Sequence, residues 1–233
     1  MKEDKIIKER ISTRISAVIF DMDGVIFDTE RLSKEGFIKA NELFGAAITE
    51  EYRQGLCGKT DLTIREILKA DFPFLKVDEY RDWIIDYING EIEKGNYSLK
   101  YNFIETIDYF KQVGCKIGLA TSTNRNRAFK LFQRKGLDIS KIFDGVVFGE
   151  EVENHSKPDP AIFLLAAKKL NVDPSDCCVV EDSLNGIKAA VNGGFFPIMV
   201  VDLIQPNDFC KGNAVILNGL KDITKVINRC DNV

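Results

Sequence analysis

The sequence predicts an α/β protein: a doubly wound, Rossmann-like parallel sheet with a small helical domain inserted after the first strand. Three observations predict it. Short runs rich in Val, Ile and Phe recur along the chain. Segments of helical period separate them, the alternation that builds parallel strands with crossover helices. One separation, between the first run and the second, is far too long for a single helix.

The expected strands are residues 15–21, 116–121, 145–149, 176–181, 197–202 and 214–217. Between them, YNFIETIDYFKQVG, NRNRAFKLFQRKG, DPAIFLLAAKKL and SLNGIKAAVNGG carry apolar residues three or four apart, and several end at Gly, a common helix terminator. The long first connection holds three more amphipathic segments, ERLSKEGFIKANELFG, DLTIREILKADF and VDEYRDWIIDYINGEIEKG, and no second set of strands. Residues 30–97 are therefore expected to form a helical cap, and residues 1–29 with 98–233 the core. In the cap, Trp83, Ile84, Ile85, Tyr87 and Ile88 follow helical spacing and are expected in its interior. FFPIMVV, residues 195–201, reads as a buried strand.

Composition agrees with a full core. With 233 residues, 45% of them hydrophobic, the chain can bury roughly 70% of its unfolded surface. Thirty-two basic and 36 acidic side chains give a net charge of −4 without long runs of one sign, so neither a nucleic acid nor a membrane is an expected partner. The start, MKEDKIIKERISTRIS, lacks the apolar stretch of a secretory signal, and the longest apolar run, AIFLLAA at 161–167, falls far below the ~18 residues of a membrane span. A soluble cytoplasmic protein, a monomer or weak homo-oligomer, is expected. The six cysteines show no metal-binding spacing and read as reduced core fillers.

In an open parallel sheet, ligands bind beyond the carboxyl ends of the strands. The first strand ends in Asp21 and Asp23, just before Gly24; the second ends in Thr121 and Ser122. The third is followed by ENHSKPDP with Lys157, and the fourth ends in Glu181 and Asp182. Taken singly, Thr121 or Ser183 reads as a helix cap. Adjacent acids after an apolar strand, however, repel each other unless a charge neutralises them. Four carboxylates with no His or Cys cluster favour a hard cation, Mg²⁺, the usual partner of a phosphoryl group. Lys157, the Thr121 hydroxyl and backbone N–H groups around Gly24 can then bind phosphate oxygens. The site is expected to take a small phosphorylated metabolite.

DMDGV, the run ending in ATS, KPDP and VVEDSLNGIKAA, in that order, resemble the four motifs of the haloacid dehalogenase-like superfamily of phosphotransferases. The insert resembles the cap of its phosphoglucomutase and small-molecule phosphatase subgroup. The resemblance implies Asp21 as nucleophile, forming an aspartyl-phosphate, and Asp23 as general acid and then base. It implies Mg²⁺ held by Asp21, the Asp23 carbonyl and Asp182, with Glu181 a direct ligand or acting through water. Catalysis then involves Asp21, Asp23, Thr121 and Lys157; Gly24, Ser122, Thr123, Asn124, Gly58 and Lys59 contact substrate or phosphate.

Within the cap, GLCGKT at residues 55–60 is not a nucleotide P-loop, because Arg53 stands where such a loop needs Gly and no strand precedes it. By resemblance, Gly58, Lys59 and Thr60 form a loop that dips toward the substrate; an exposed helix start capped by Thr60 or Asp61 fits the same residues. His155 reads as a solvated loop residue. The leading expectation is a Mg²⁺-dependent phosphatase for a small phosphorylated metabolite such as a sugar phosphate, and the alternative a β-phosphoglucomutase-like enzyme. Mutase-like members carry a His and an Arg where this chain has Ser33 and Asp61, which favours hydrolysis. A receiver domain, half this length and without a cap, fits poorly, as does an inactive binding protein.

Overall fold

The structure, a computed structural model, describes residues 15–152 and 155–227. Six strands, β1 (Ala17–Phe20), β2 (Lys116–Thr121), β3 (Gly145–Phe148), β4 (Cys177–Glu181), β5 (Phe196–Val200) and β6 (Val215–Leu217), form one sheet in the order β3-β2-β1-β4-β5-β6. Every neighbouring pair is parallel. All the expected strands are present, with each end within two residues of the expected one.

Four helices follow β1: α1 (Glu30–Phe44), α2 (Glu50–Leu56), α3 (Asp61–Asp71) and α4 (Val77–Glu93). The sheet then alternates with α5 (Phe103–Gln112), α6 (Arg125–Arg134), α7 (Ile139–Ile142), α8 (Ala161–Leu170), α9 (Leu184–Asn192), α10 (Asp208–Asn213) and α11 (Ile223–Val226). No helix among the described residues is long and apolar enough to cross a membrane.

The sheet is covered on both faces, which is why its strands are almost continuously apolar. Val18 and Phe20 of β1 join one cluster with Phe103 and Phe110 of α5 and Phe132 of α6. Ala17 and Ile19 point the other way, into a cluster with Ile162, Phe163, Ala166 and Leu170 of α8. Each buried Phe or Ile contributes about 1.5–3 kcal/mol relative to exposure. The α1–α4 helices add Phe37, Ala40, Leu68, Tyr80 and Ile84 to the first cluster. Tyr80 also donates its hydroxyl to Asn41 Oδ1 at 2.8 Å, which ties α4 to α1.

Two expectations are corrected. Ile84 and Ile88 are buried, but Trp83, Ile85 and Tyr87 are only half-buried. The Trp83 and Tyr87 rings stack on one another, 5.7 Å apart, and the Lys39 ammonium lies over Tyr87. Five residues of one helix span too wide an arc for all to face inward. Among the cysteines, 57, 177, 178 and 210 are free and buried, but Cys115 is disulfide-bonded. Cys230 and residues 1–14 of the expected core lie outside the described residues.

Strand order reverses at β1: β2 and β3 lie on one side of it and β4 on the other. The crevice at this switch point is where open α/β sheets bind ligands. Asp21 directly follows β1, and its N–H donates to Val180 O of β4 at 2.9 Å.

Candidate active site

Asp21 and Asp182 leave the ends of β1 and β4 as neighbours, and a glycine keeps them so. Gly24 has φ +83°, and a Cβ there would stand 2.1 Å from Asp182 Oδ2. The loop closes on itself through Gly24 N–H to Phe27 O at 2.8 Å and Ile26 N–H to Met22 O at 2.8 Å. The Gly24 amide is thus engaged in a tight turn. Gly24 contributes space.

Lys157 is buried, and its Nζ donates to Asp21 Oδ1 at 2.5 Å and to Glu181 Oε1 at 2.6 Å. The other Glu181 oxygen, Oε2, accepts from Asp182 N–H at 2.9 Å, Ser183 N–H at 2.8 Å and Ser183 Oγ at 2.9 Å. Gly186 permits this packing, as a Cβ there would fall 1.9 Å from the Glu181 carboxyl. Both oxygens of Glu181 are thus engaged by protein donors.

These carboxylates outnumber their cation. Burial pushes the Asp21 carboxyl up to about 8, with Lys157 opposing and Glu181 and Asp23 adding to the rise. Asp182 is raised well above the usual carboxylate range by burial, then by Glu181, Glu30 and Asp21. Burial would depress Lys157, but Asp21 and Glu181 outweigh it and hold the ammonium charged.

Asp23 is half-buried. Thr29 Oγ1 donates to its Oδ1 at 2.5 Å, Thr123 Oγ1 to its Oδ2 at 2.7 Å, and Arg127 stands 3.7 Å away. At the end of β2, buried Thr121 accepts from Thr123 N–H at 3.1 Å. Asn124 is exposed and caps α6 through Arg127 N–H at 2.9 Å.

The loop 55–60 lies against this rim. Ser122 Oγ donates to Gly58 O at 2.7 Å, and Asn185 Nδ2 to Cys57 O at 2.8 Å and Gly55 O at 3.0 Å. Thr60 N–H donates to Ser156 Oγ at 2.9 Å, and Lys59 Nζ to Lys157 O at 3.3 Å. Gly58 has φ +80°, and a Cβ would stand 2.7 Å from Ser183 Oγ. Thr60 caps α3 as well, so the loop both approaches the rim and starts a helix. His155 is exposed, its Nδ1 3.0 Å from Asp159.

Together these elements enclose a cavity of about 690 Å³ lined by Asp21, Asp23, Asp182, Thr123, Gly58 and Lys59 among others. Thr121, Lys157 and Glu181 are buried behind its wall. Among the described residues, no three His, Cys, Asp or Glu side chains stand together as a metal-holding group. Glu181 is turned to Lys157, to two backbone amides and to the Ser183 hydroxyl, and Asp23 to two threonines. What fits Mg²⁺ is narrower, the carboxylates of Asp21 and Asp182 with the Asp23 carbonyl. The set is all oxygen, and burial leaves its charge under-compensated.

Residues outside the motifs complete the wall. Buried Arg53 binds Glu30 at 2.9 Å and Glu50 at 2.9 Å; buried Arg81 binds Asp61 at 2.7 Å. Local pattern disguises these arginines as solvated helix charges. Thr29 carried one usable signal, a hydroxyl six residues after Asp23 and directly before a helix.

The fold, the ordered motifs and the buried Asp–Lys–Glu chain define a haloacid dehalogenase-like hydrolase. The chain belongs to that family, whose profile matches residues 15–194. It is 37% identical over 219 residues, 91% of this chain and 98% of the relative, to a phosphorylated carbohydrates phosphatase of Thermotoga maritima. A crystal structure of β-phosphoglucomutase from Clostridium difficile is similar at TM-score 0.73 and 26% identity, covering 92% of this chain and 97% of that one. CbbY from Rhodobacter sphaeroides shares the fold at TM-score 0.76 and 23% identity, covering 92% and 99% of the two chains.

Proposed function

We propose that the protein is a Mg²⁺-dependent phosphatase that hydrolyses a small phosphorylated carbohydrate through an aspartyl-phosphate on Asp21. The bridge from Lys157 to Asp21 and Glu181 carries this reading, because it aims one carboxylate into the cavity while a buried cation offsets its charge. The name and 37% identity of the Thermotoga maritima relative support the carbohydrate substrate.

Asp21 attacks phosphorus in line as the bond to the leaving oxygen breaks, and Asp23 gives that oxygen its proton. Asp23 then takes a proton from water, whose oxygen attacks the same phosphorus and frees Asp21 and inorganic phosphate. Lys157 holds Asp21 in place, and Thr121 and Thr123 offer hydroxyls to phosphate oxygens or to Asp23. Mg²⁺ would be held by Asp21, the Asp23 carbonyl and Asp182, and supplies charge that neutralises the transferring group. Glu181 acts as the holder of Lys157.

Residues 30–97 act as the cap and the remainder as the core. The loop 55–60 seals the site, with Gly58 against Ser183 and Lys59 at the cavity wall, and excludes water until substrate is bound.

A phosphate-release screen with Mg²⁺ over sugar phosphates, nucleotides and polyol phosphates tests the proposal. Turnover of a carbohydrate phosphate is expected, and its loss in Asp21→Asn with an unchanged circular dichroism spectrum. Full activity in that variant eliminates the mechanism. The likeness to β-phosphoglucomutase warrants one added arm, β-glucose 1-phosphate with a bisphosphate primer. Sustained glucose 6-phosphate formation without phosphate release would instead make it a mutase.

A further inference from the structure

A second cavity, of about 220 Å³, shares no lining residue with the reaction cavity. Its wall is built by the turn at Gly24 and Val25, by residues 100–102 ahead of α5, by the carboxyl end of β5 and by the chain that follows β6. The carboxyl edge of an open parallel sheet is where such folds take ligands. At this size the pocket falls below the roughly 300–1,000 Å³ of sites for drug-sized molecules, and suits something smaller.

Two buried acceptor oxygens in this corner lack a donor. Asn102 lines the pocket, and its Oδ1 is buried with no hydrogen-bond partner among the described residues. The Asn102 backbone is anchored at φ +64°, its carbonyl accepting from Thr106 N–H at 3.0 Å and Thr106 Oγ1 at 2.7 Å, while its side chain caps nothing. Asp202 directly follows the lining residue Val201. Its Oδ1 accepts from Lys100 Nζ at 2.6 Å, but its Oδ2 is buried and unpartnered among the described residues. Buried polar atoms nearly always have a partner, so two orphaned acceptors side by side mark a place for a molecule that brings donors.

The neighbouring charges restrict what that molecule is. An inorganic anion without protons brings no donor and meets the Asp202 carboxylate. A metal cation meets the Lys100 ammonium, which already stands between Asp202 at 2.6 Å and Asp28 at 3.6 Å, and Lys221 in the same wall. A neutral hydroxylated molecule satisfies both conditions, because each hydroxyl donates to an amide or carboxylate oxygen and accepts from an ammonium or amide N–H. Tyr101, 83% exposed and part of the wall, adds an apolar ring beside these groups, and Asn218 adds a second amide.

We infer that this pocket binds a neutral monosaccharide, with hydroxyls on Asn102 and toward Asp202 and one face of the sugar against Tyr101. Gly24, in the wall, directly follows Asp23, so the bound sugar lies against the turn that carries Asp23. Nothing in this assignment depends on the phosphatase reading.

NMR titration of the ¹⁵N-labelled protein with glucose, fructose and ribose tests it, because backbone amides report where a sugar binds. At least one sugar, at millimolar concentration, is expected to give saturable shifts at the Asn218 and Gly219 amides. Asn102→Gly, which keeps a residue suited to the left-handed backbone, should weaken that binding about two- to tenfold, the effect of one neutral hydrogen bond. Tyr101→Ala should weaken it as well. Shifts confined to Gly58 and Gly149 of the reaction cavity, no shift with any of the three sugars, or an unchanged affinity in Asn102→Gly would overturn the inference. So would inorganic phosphate or Mg²⁺ moving the Gly219 amide at lower concentration than any sugar. Turnover is not read, so each of these results leaves the phosphatase proposal standing.

Discussion

Lys157 Nζ lies 2.5 Å from Asp21 Oδ1, joining residues 136 positions apart in the chain, and it does so with no exposure to solvent. Removing one member of such a buried pair strands the other. Lys157→Met should abolish measurable phosphatase turnover and, at pH 8, destabilise the fold by about 3–5 kcal/mol. At pH 5 the loss should be smaller, because Asp21 can take up a proton. Urea unfolding at the two pH values checks both statements. Equal losses would show that the lysine stabilises by packing alone.

The raised carboxyls set a pH signature in metal-free protein. Asp21 binds its proton more tightly in the folded state, about 8 against the ordinary 3.8. Its stabilisation is thus present below about pH 4 and is lost as pH rises through about 8. Asp182, raised as well, contributes with the same sign. Melting temperature without Mg²⁺ should therefore fall between pH 5 and pH 8, and added Mg²⁺ should raise it most at the alkaline end, where the carboxylates are free of protons. A Mg²⁺ shift that is larger at pH 5 would contradict this assignment.

Gly186→Ala places a methyl group 1.9 Å from the Glu181 carboxyl. Because Glu181 is fixed by Lys157 and three donors, it cannot move aside without losing them. A destabilisation of about 1–3 kcal/mol is expected, the usual overpacking range. Gly45→Ala is a useful contrast: a Cβ there meets nothing within 4 Å, and only its φ of +64° disfavours alanine, by about 1–2 kcal/mol. Turnover should fall in Gly186→Ala and persist in Gly45→Ala.

Asn185→Ala removes two hydrogen bonds to the loop 55–60, those to Gly55 O and Cys57 O. Asn185 itself is partly exposed, so stability should change by less than about 1 kcal/mol. The expected effect is on closure. KM should rise several-fold and kcat fall, and combining the change with Ser122→Ala, which frees Gly58 O, should deepen both. Unaltered kinetics in the double variant would remove the loop from the catalytic cycle.

Much of this was written in the order of residues. Val18 and Phe20 against Ala17 and Ile19 mark a strand buried on both faces, and the acids that follow mark its carboxyl end. The helices of the insert were equally plain where periodicity was strong, as in Glu30–Phe44 and Val77–Glu93. The short α2, EEYRQGL, had too few apolar residues to announce itself. The direction of each polar bond was also invisible. That Gly24 N–H turns to Phe27, or that Glu181 faces Lys157, depends on backbone closure and on residues far away in sequence. Arg53, Arg81 and Arg127 come from three helices, and only the packing of α2, α4 and α6 brings them to one cavity.

The way the loop 55–60 is moored has a bearing on how such an enzyme can change its taste in substrates. On the loop's side, four of the attachment points are main-chain atoms: the carbonyls of Gly55, Cys57 and Gly58 and the amide of Thr60. Main-chain anchors survive most side-chain replacements. The side chain of Lys59, which borders the cavity and adds a fifth attachment at the Lys157 carbonyl, can therefore change under selection while the main-chain latch holds.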